Sequence, residues 1–341
     1  MTMMVGCGSG SSRSSDAQSE AALTTHVHDS VETDIDKLVQ AAADLQSAAP
    51  VPDADGWGSA TDADAIAQMK AAWIRARTAY ERVEGVLAPL FPDVDNSIDA
   101  RYDDFMDQLA GYGDPNPFDG EGVTGMHAIE RILYADVIPP NVVALESHLP
   151  GYAPAAFPSN ETEASDFKTK LCGKFITDAR TLQSDWQPSR IDLGGAFQGL
   201  ISLVNEQQEK VNKAATGEEE SRYSERTLAD LEDNLAGTTT IYAFFGSWLV
   251  TKSGGPPIDA KIEDGFQTLS ALYATFPGAT IPEPPATWSS LNPTTTDLAT
   301  PFGQLYTAVQ SAVDPVTNGS IVFEMNLAAV ALGFPEFRNT P

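Results

Sequence analysis

Apolar residues recur every three or four positions over most of the chain. That is the period of an amphipathic helix, not of a strand. Val31, Ile35, Leu38, Val39 and Leu45 lie along one side of a predicted helix over 20–48. A second helix is predicted from a cap at Asp62 or Asp64 to about Leu87, where Pro89 and Pro92 end it. A third runs from about Gly122 to Ala135, and further helices cover about 162–185, 193–215, 225–250, 258–275, 296–313 and 320–333. Residues 93–121 read as a long polar connection with one or two helical turns around Ile98–Leu109. Pro139, Pro140, Pro150, Pro154 and Pro158 mark another loop, and 276–294 a third. Strict alternation is rare, and the Thr-rich stretches Thr238–Thr240 and Thr294–Thr296 lie in helical patterns or beside proline. The pattern predicts an all-α fold of helical bundles. A length of 341 residues suggests about two domains. The expected division is a tether over 1–19, an N-terminal bundle over 20–190 and a C-terminal bundle over 191–341.

Charge narrows the function. With 48 acidic and 20 basic residues the formal net charge is −28. Such a chain lacks the Lys/Arg footprint that nucleic-acid phosphates require, and an anionic membrane surface repels it. The same charge concentrates cations near the surface. A hydrophobic content of 42% is enough to bury real cores. No run approaches the roughly 18 apolar residues of a membrane span. Ile241–Val250 comes nearest and contains Gly246 and Ser247.

The two cysteines are too few for a disulfide framework. Met4-Val5-Gly6-Cys7 resembles a bacterial lipobox, and the Gly/Ser stretch after it reads as a flexible tether. Lipidation of Cys7 would make an exported protein anchored by lipid; the alternative is an incidental cysteine at a disordered start. Cys172 lies in a predicted helix and reads as a small core residue.

Three places carry candidate chemistry. In the helix that contains Trp73, Tyr80 and Leu87 fall within about 40° of Trp73 at about 100° per residue. Glu84 falls about 20° from it, inside the apolar stripe, and Glu81 flanks the stripe at about 80°. A carboxylate there needs either a metal or an ion-pair partner, for which Arg101 on another helix is a candidate. Gly125-Met-His127-Ala-Ile-Glu130 places a His and a Glu on one helix face, where they can share a metal or simply bond to each other. His26 and His28 lie near the start of the chain and His148 in a Pro-rich loop, which leaves His127 as the histidine of a buried helix. Glu209, in Glu206-Gln-Gln-Glu209, lies off the stripe of Phe197, Leu200, Val204 and Val211 and reads as exposed. H-E-x-x-H, G-x-S-x-G, the P-loop and G-x-G-x-x-G are absent.

Taken together these residues resemble the imelysin family. Gly125-x-His127-x-x-Glu130 matches its G-x-H-x-x-E signature. Tyr80-Glu-Arg-Val-Glu84 followed by Asp95-Asn-Ser-Ile-Asp99-Ala-Arg101 looks like its Y-E-x-x-E … D-x-x-I-D-x-R segment. Ser224 to Asn234, with Gly237, is similar to its S-x-x-T-x-x-D-L-x-x-N-x-x-G helix. The resemblance implies two four-helix-bundle-like lobes in an exported or lipid-anchored protein of the bacterial envelope, periplasmic or on the surface. It also implies a metal-linked site, with His127, Glu130, Glu81, Glu84 and Asp99 carried over by position and Glu209 by a looser alignment.

The family includes the Efe-type periplasmic iron-uptake proteins. The longer, Pro/Thr-rich second half places this chain with the broader imelysin group. The expectation is a protein that binds a metal cation, iron first and zinc or copper as alternatives, within an envelope iron-transport system. Two other readings are a metallopeptidase and a non-catalytic surface interaction protein. The peptidase label often given to the family lacks an H-E-x-x-H here.

Overall fold

In the computed structural model, which describes residues 10–335 except 59, 60, 110, 188 and 189, every regular element among the described residues is a helix. Cys7 lies outside the described residues. The elements are α1 (Gly10–Ala48), α2 (Ala63–Glu81), α3 (Glu84–Leu90), α4 (Pro92–Asp99), α5 (Tyr102–Gln108), α6 (Gly125–Leu133), α7 (Pro140–Glu146) and α8 (Glu161–Asp166). A π-helical turn, Phe167–Leu171, joins α8 to α9 (Cys172–Trp186). Then follow α10 (Leu193–Lys213), α11 (Thr227–Leu249), α12 (Gly255–Tyr273), α13 (Thr295–Leu298), α14 (Pro301–Val313) and α15 (Ile321–Leu332).

Of the stripe predicted on α1, Val31, Ile35, Leu38 and Leu45 are buried and Val39 is half-buried. Leu23, Val27, Val31, Ile35, Leu38, Ala42 and Leu45 of α1 are buried, and this face packs against α2 and α9. Each such branched side chain contributes about 1.5–3 kcal/mol when buried. Farther along, α10, α11, α12, α14 and α15 pack on one another. α11 also touches α1 and α2, and α10 packs against α3. Cys172 is a buried free thiol in the core, and burial pushes its pKa well up.

Several local expectations need correction. The helix expected to run on to Leu87 breaks at Arg82 and Val83, so Glu84 opens α3. The polar connection 93–121 holds two helices, not isolated turns. Pro92 starts α4 at a position where a missing N–H costs nothing, and Asp93 and Asp95 complement the helix N-terminus. In α5 the Asp104 carboxylate accepts from the Arg101 N–H at 3.0 Å. The Pro-rich stretch after Pro139 contains α7, again opened by proline. Pro301 splits the helix expected over 296–313 into α13 and α14. Asp62 sits at the start of α2, but its side chain accepts from Gly58 N–H at 2.8 Å and does not cap the helix. α1 is helical from Gly10, inside the stretch read as a tether, and it holds His26 and His28 well within a core helix.

Candidate metal centre

A buried group of charged side chains lies where α2, α4, α6, α10, α11 and the turns before α11 converge. Arg77 and Glu81 stand one turn apart on the inner face of α2, at 1% and 0% exposure, and are ion-paired. The Arg77 guanidinium also pairs with Asp99 at the end of α4, with Glu220 at 3.3 Å and with Asp230 of α11 at 3.6 Å. Lys210 of α10 reaches Glu220 at 3.2 Å, Glu84 at 3.3 Å and the Asn234 Oδ1 at 3.2 Å. Asn234 donates to the Glu81 carbonyl and to Glu84 Oε2, each at 2.9 Å, and to the Glu81 carboxylate.

His127 is buried at the bottom of this group. Its Nδ1 lies 2.9 Å from Glu130 Oε2. The other Glu130 oxygen accepts from the Ser224 N–H at 2.9 Å and from the Ser224 hydroxyl at 2.7 Å. Glu130 therefore accepts a hydrogen bond from the Nδ1–H, which turns Nε2 toward Asp99. Nε2 makes no hydrogen bond and faces Asp99 Oδ1 at 3.4 Å. One oxygen each of Asp99 and Glu220 and a ring nitrogen of His127 lie within 4.8 Å of one another.

Two glycines make this convergence possible. Gly125 opens α6 with φ +83°, and a Cβ there would stand 2.6 Å from the Ile98 carbonyl oxygen and 2.8 Å from that of Ser97. Only glycine combines that backbone with so close an approach, and it sets His127 beside the end of α4. At Gly237 a Cβ would meet the Arg82 carbonyl oxygen at 2.0 Å. The contact seats α11 on the end of α2 and brings Asn234, one turn earlier, against Glu81 and Glu84.

The segment that carries Glu220 is held almost residue by residue. Ser221 donates to Asp230 at 2.5 Å, and Arg222 to Asp103 of α5 at 2.8 Å. Tyr223 donates to Glu146 of α7, which also accepts from Arg131 at 3.0 Å, and Ser224 donates to Glu130. A side chain so supported is positioned before any ligand arrives.

A cavity of about 350 Å³ gives access from outside. Glu84, Asp95, Asp99, Asp104, Glu206, Glu209 and Glu220 line it, with Arg101, Lys210 and Lys213. Carboxylates outnumber cations, and the protein accommodates the excess by holding protons. Burial raises Glu81 well above the carboxylate range against the pull of Arg77. It raises Asp230 to about 6, and Asp95 and Glu206 to about 7. Asp99 and Glu220 are held low despite burial, the first by Arg77 and His127, the second by Lys210 and Arg77. For His127, burial and Arg77 act downward, but Asp99 and Glu130 outweigh them and raise it to about 9.

Sequence reasoning placed the residues unevenly. Asp99, His127, Glu130, Glu81 and Glu84 do come together. The wheel's ranking of the two α2–α3 acids is reversed: Glu81 is the fully buried one, and Glu84 keeps 12% exposure. The break at Arg82 takes Glu84 out of register. Arg101 does not pair with Glu84; it lies 3.6 Å from Asp104 and donates to the Glu218 carbonyl. Lys210 takes that place. Glu209 stands on the cavity rim, 62% exposed and paired with Lys213 at 2.7 Å. Arg77, Lys210 and Glu220 were missed. Arg77 had a signal, since it falls about 40° from Trp73, inside the apolar stripe. Glu220 lies in a turn, where periodicity says nothing.

Residues 25–310 match the imelysin family. Relatives include the iron uptake system component EfeO of Escherichia coli O1:K1, 29% identical over 231 residues that make up 66% of this chain and 49% of that protein. EfeO of Shigella flexneri is 28% identical over 228 residues, with the same shares. The chain thus spans about half the length of these curated relatives. Among solved structures, an imelysin-like protein from Psychrobacter arcticum 273-4 superimposes with a TM-score of 0.61 over 99% of this chain and 100% of that one, at 14% identity. That likeness concerns the fold. With the family match running through α1 to α14 and all three motifs meeting at one buried centre, this all-helical chain belongs to the imelysin family.

Proposed function

We propose that this protein captures a metal cation, iron first, at Asp99, His127 and Glu220. In this reading Glu130 orients the imidazole, Glu81 and Glu84 shape the surrounding charge, and Glu209 guards the rim. The observation that carries the reading is His127 itself. Its Nδ1 is committed to Glu130, its Nε2 faces Asp99 at 3.4 Å without a hydrogen bond of its own, and an oxygen of Glu220 lies in the same cluster. An imidazole fixed through its second nitrogen by a carboxylate is the arrangement metal sites use. Oxygen ligands with one imidazole suit Fe(II), Fe(III), zinc or copper, and among the described residues no thiolate lies in the cluster for softer ions. The names of the EfeO relatives support iron among these.

The cation would enter through the acidic cavity. To bind, it must replace the proton that His127 holds and loosen the grip of Arg77 and Lys210 on Asp99 and Glu220. In the cell the protein would act as an envelope component of an iron-uptake or iron-handling system. The lipobox resemblance at Cys7 supports lipid anchoring, and no helix among the described residues is long and apolar enough to cross a membrane.

The competing reading is a closed ion-pair network, favoured by the four carboxylates that Arg77 already contacts. Calorimetric titration of the full chain with Fe(II), Fe(III), Zn(II), Cu(II) and Ca(II) separates the two. Metal capture gives saturable binding that weakens at least tenfold in Asp99→Asn, His127→Ala and Glu220→Gln. No saturable binding, or binding untouched by these changes, leaves only the network.

A further inference from the structure

A second set of metal-ligating side chains lies on α1, outside the cavity of the candidate centre. One ligand atom each from His28, Asp29 and Glu32 falls within 4.8 Å of the others. What distinguishes the group from an ordinary polar face is how α9 holds it. His28 Nε2 lies 3.3 Å from the Trp186 carbonyl oxygen and 3.2 Å from that of Gln187. A carbonyl oxygen can only accept, so Nε2 carries a proton. The tautomer is set from outside the cluster, and Nδ1 is the nitrogen left for a ligand.

Nδ1 faces Asp29 Oδ1 at 3.5 Å and Glu32 Oε2 at 3.9 Å. Two ligands bound at about 2.1 Å with a tetrahedral angle stand about 3.4 Å apart, so these separations leave room for one shared ion. The ring is not free to turn away. It stacks on Trp186 with centroids 5.4 Å apart, and the indole N–H donates to the His28 carbonyl at 3.2 Å. Glu32 is steadied as well, since Gln187 Nε2 donates to its other oxygen at 3.1 Å. Among the described residues no lysine or arginine pairs with Asp29 or Glu32. The His28 side chain keeps 20% exposure and Glu32 31%, enough for a small ion to reach them.

We infer that His28, Asp29 and Glu32 form a peripheral site for a divalent transition cation of the zinc, copper or nickel type. One imidazole and two carboxylates supply ligands, water completes the shell, and the carbonyls of Trp186 and Gln187 hold the imidazole from behind.

The full chain carrying His127→Ala tests this independently of the first centre. Cu(II) is titrated against tryptophan fluorescence, because a copper ion on a ring stacked over Trp186 quenches that indole. Zn(II) binding is followed by calorimetry. The expected result is saturation at one equivalent. Affinity falls at least tenfold on adding Glu32→Gln, which keeps the shape of the side chain, and binding is lost with His28→Gln. Trp186→Phe removes the quenching and leaves Zn(II) binding. The same substitutions in the chain with His127 intact must remove one equivalent and no more. Absence of saturable binding, or affinity unchanged in both His28→Gln and Glu32→Gln, overturns the site and leaves the group as a polar contact between α1 and α9. Loss of this equivalent with retention of a His127-dependent one, or the reverse, shows which of the two sites fails.

Discussion

One helix, α11, serves two different interiors. Its first half gives Asp230 and Asn234 to the charged centre, where Asp230 accepts from Ser221 and faces Arg77, and Asn234 donates to Glu81 and Glu84. Its second half gives Ile241, Tyr242 and Phe245 to an aromatic core. There Phe245 packs on Phe197 of α10 with ring centroids 4.8 Å apart, and Tyr242 on Phe266 of α12 at 5.5 Å. Both halves are buried, but they are stabilised by different physics. The aromatic half gains from area removed from water, which is non-directional. The charged half gains only when each charge meets its partner, because an unpaired buried charge is costly. Gly237 lies between the two and fixes the helix against Arg82.

The sharpest break of this comparison is a pair of substitutions. Phe245→Ala should cost about 3–5 kcal/mol through the cavity it leaves. Arg77→Met should cost a similar amount, about 3–5 kcal/mol, by stranding Glu81 and Asp99. The two should differ in their response to added cation. Zn(II) or Fe(II) should restore a large part of the loss in Arg77→Met, since an ion can replace the missing charge, and none beyond the wild-type gain in Phe245→Ala. Denaturant titrations with and without metal measure both. Equal responses would mean that a cation does not take over the charge of Arg77.

Gly237→Ala comes next. The added methyl must displace the Arg82 carbonyl, which is backbone and cannot swing aside. Overpacking of this kind costs about 1–3 kcal/mol. Because Asn234 moves with α11, metal affinity should fall as well, whereas Ala at the exposed Thr240 should leave affinity alone. A Gly237→Ala protein with unchanged stability would show that α11 does not need this contact.

The charged half should also make stability depend on pH. The folded pKa of His127, about 9, is above its ordinary 6.5, so its contribution is complete below about 6.5 and disappears as pH rises through 9. Asp230, raised to about 6, and Asp95 and Glu206, raised to about 7, act in the same direction at lower pH, because the folded state holds protons that the unfolded chain has released. Asp99 and Glu220 are depressed and oppose this only in the acid range, below the ordinary carboxylate values. The metal-free protein should therefore lose about 3 kcal/mol between pH 6.5 and 8, about half of it through His127. His127→Gln should flatten that slope. A stability that climbs over the same interval would reverse the sign and remove the proton-holding account of the centre.

The aromatic half was far more legible in sequence than the charged half. Periodicity finds Val31, Ile35 and Leu38, or Phe197, Leu200 and Val204, because burial repeats with the helix. It also detects that something charged stands among apolar neighbours on α2. It cannot say which acid is deepest once the helix breaks, and the break at Arg82 exchanged Glu84 for Glu81. Nor can it reach Glu220 or pair Lys210 with Glu84, because those placements depend on turns and on packing between helices distant in sequence. Motif order did better: Gly125, His127, Asp99 and Asn234 were singled out together, and the structure gives a steric reason for Gly125 and a hydrogen-bonding one for Asn234.

Glu209 provides the finest test of where the charged interior ends. Family alignment carried it into the acidic set, but the geometry leaves it 62% exposed and paired one turn along α10 with Lys213. An exposed pair of that kind contributes little, because water and salt screen it. Glu209→Ala should change stability by no more than about 0.5 kcal/mol and shift equilibrium metal affinity less than about twofold. Its long-range charge can still attract a cation to the cavity, so the association rate should fall slightly, and less at high salt. Stopped-flow binding at low and high ionic strength measures this. A tenfold loss of equilibrium affinity would instead mean that the coordinating set extends to the rim, and that the boundary between the buried centre and the acidic coat lies farther out than Asp99 and Glu220.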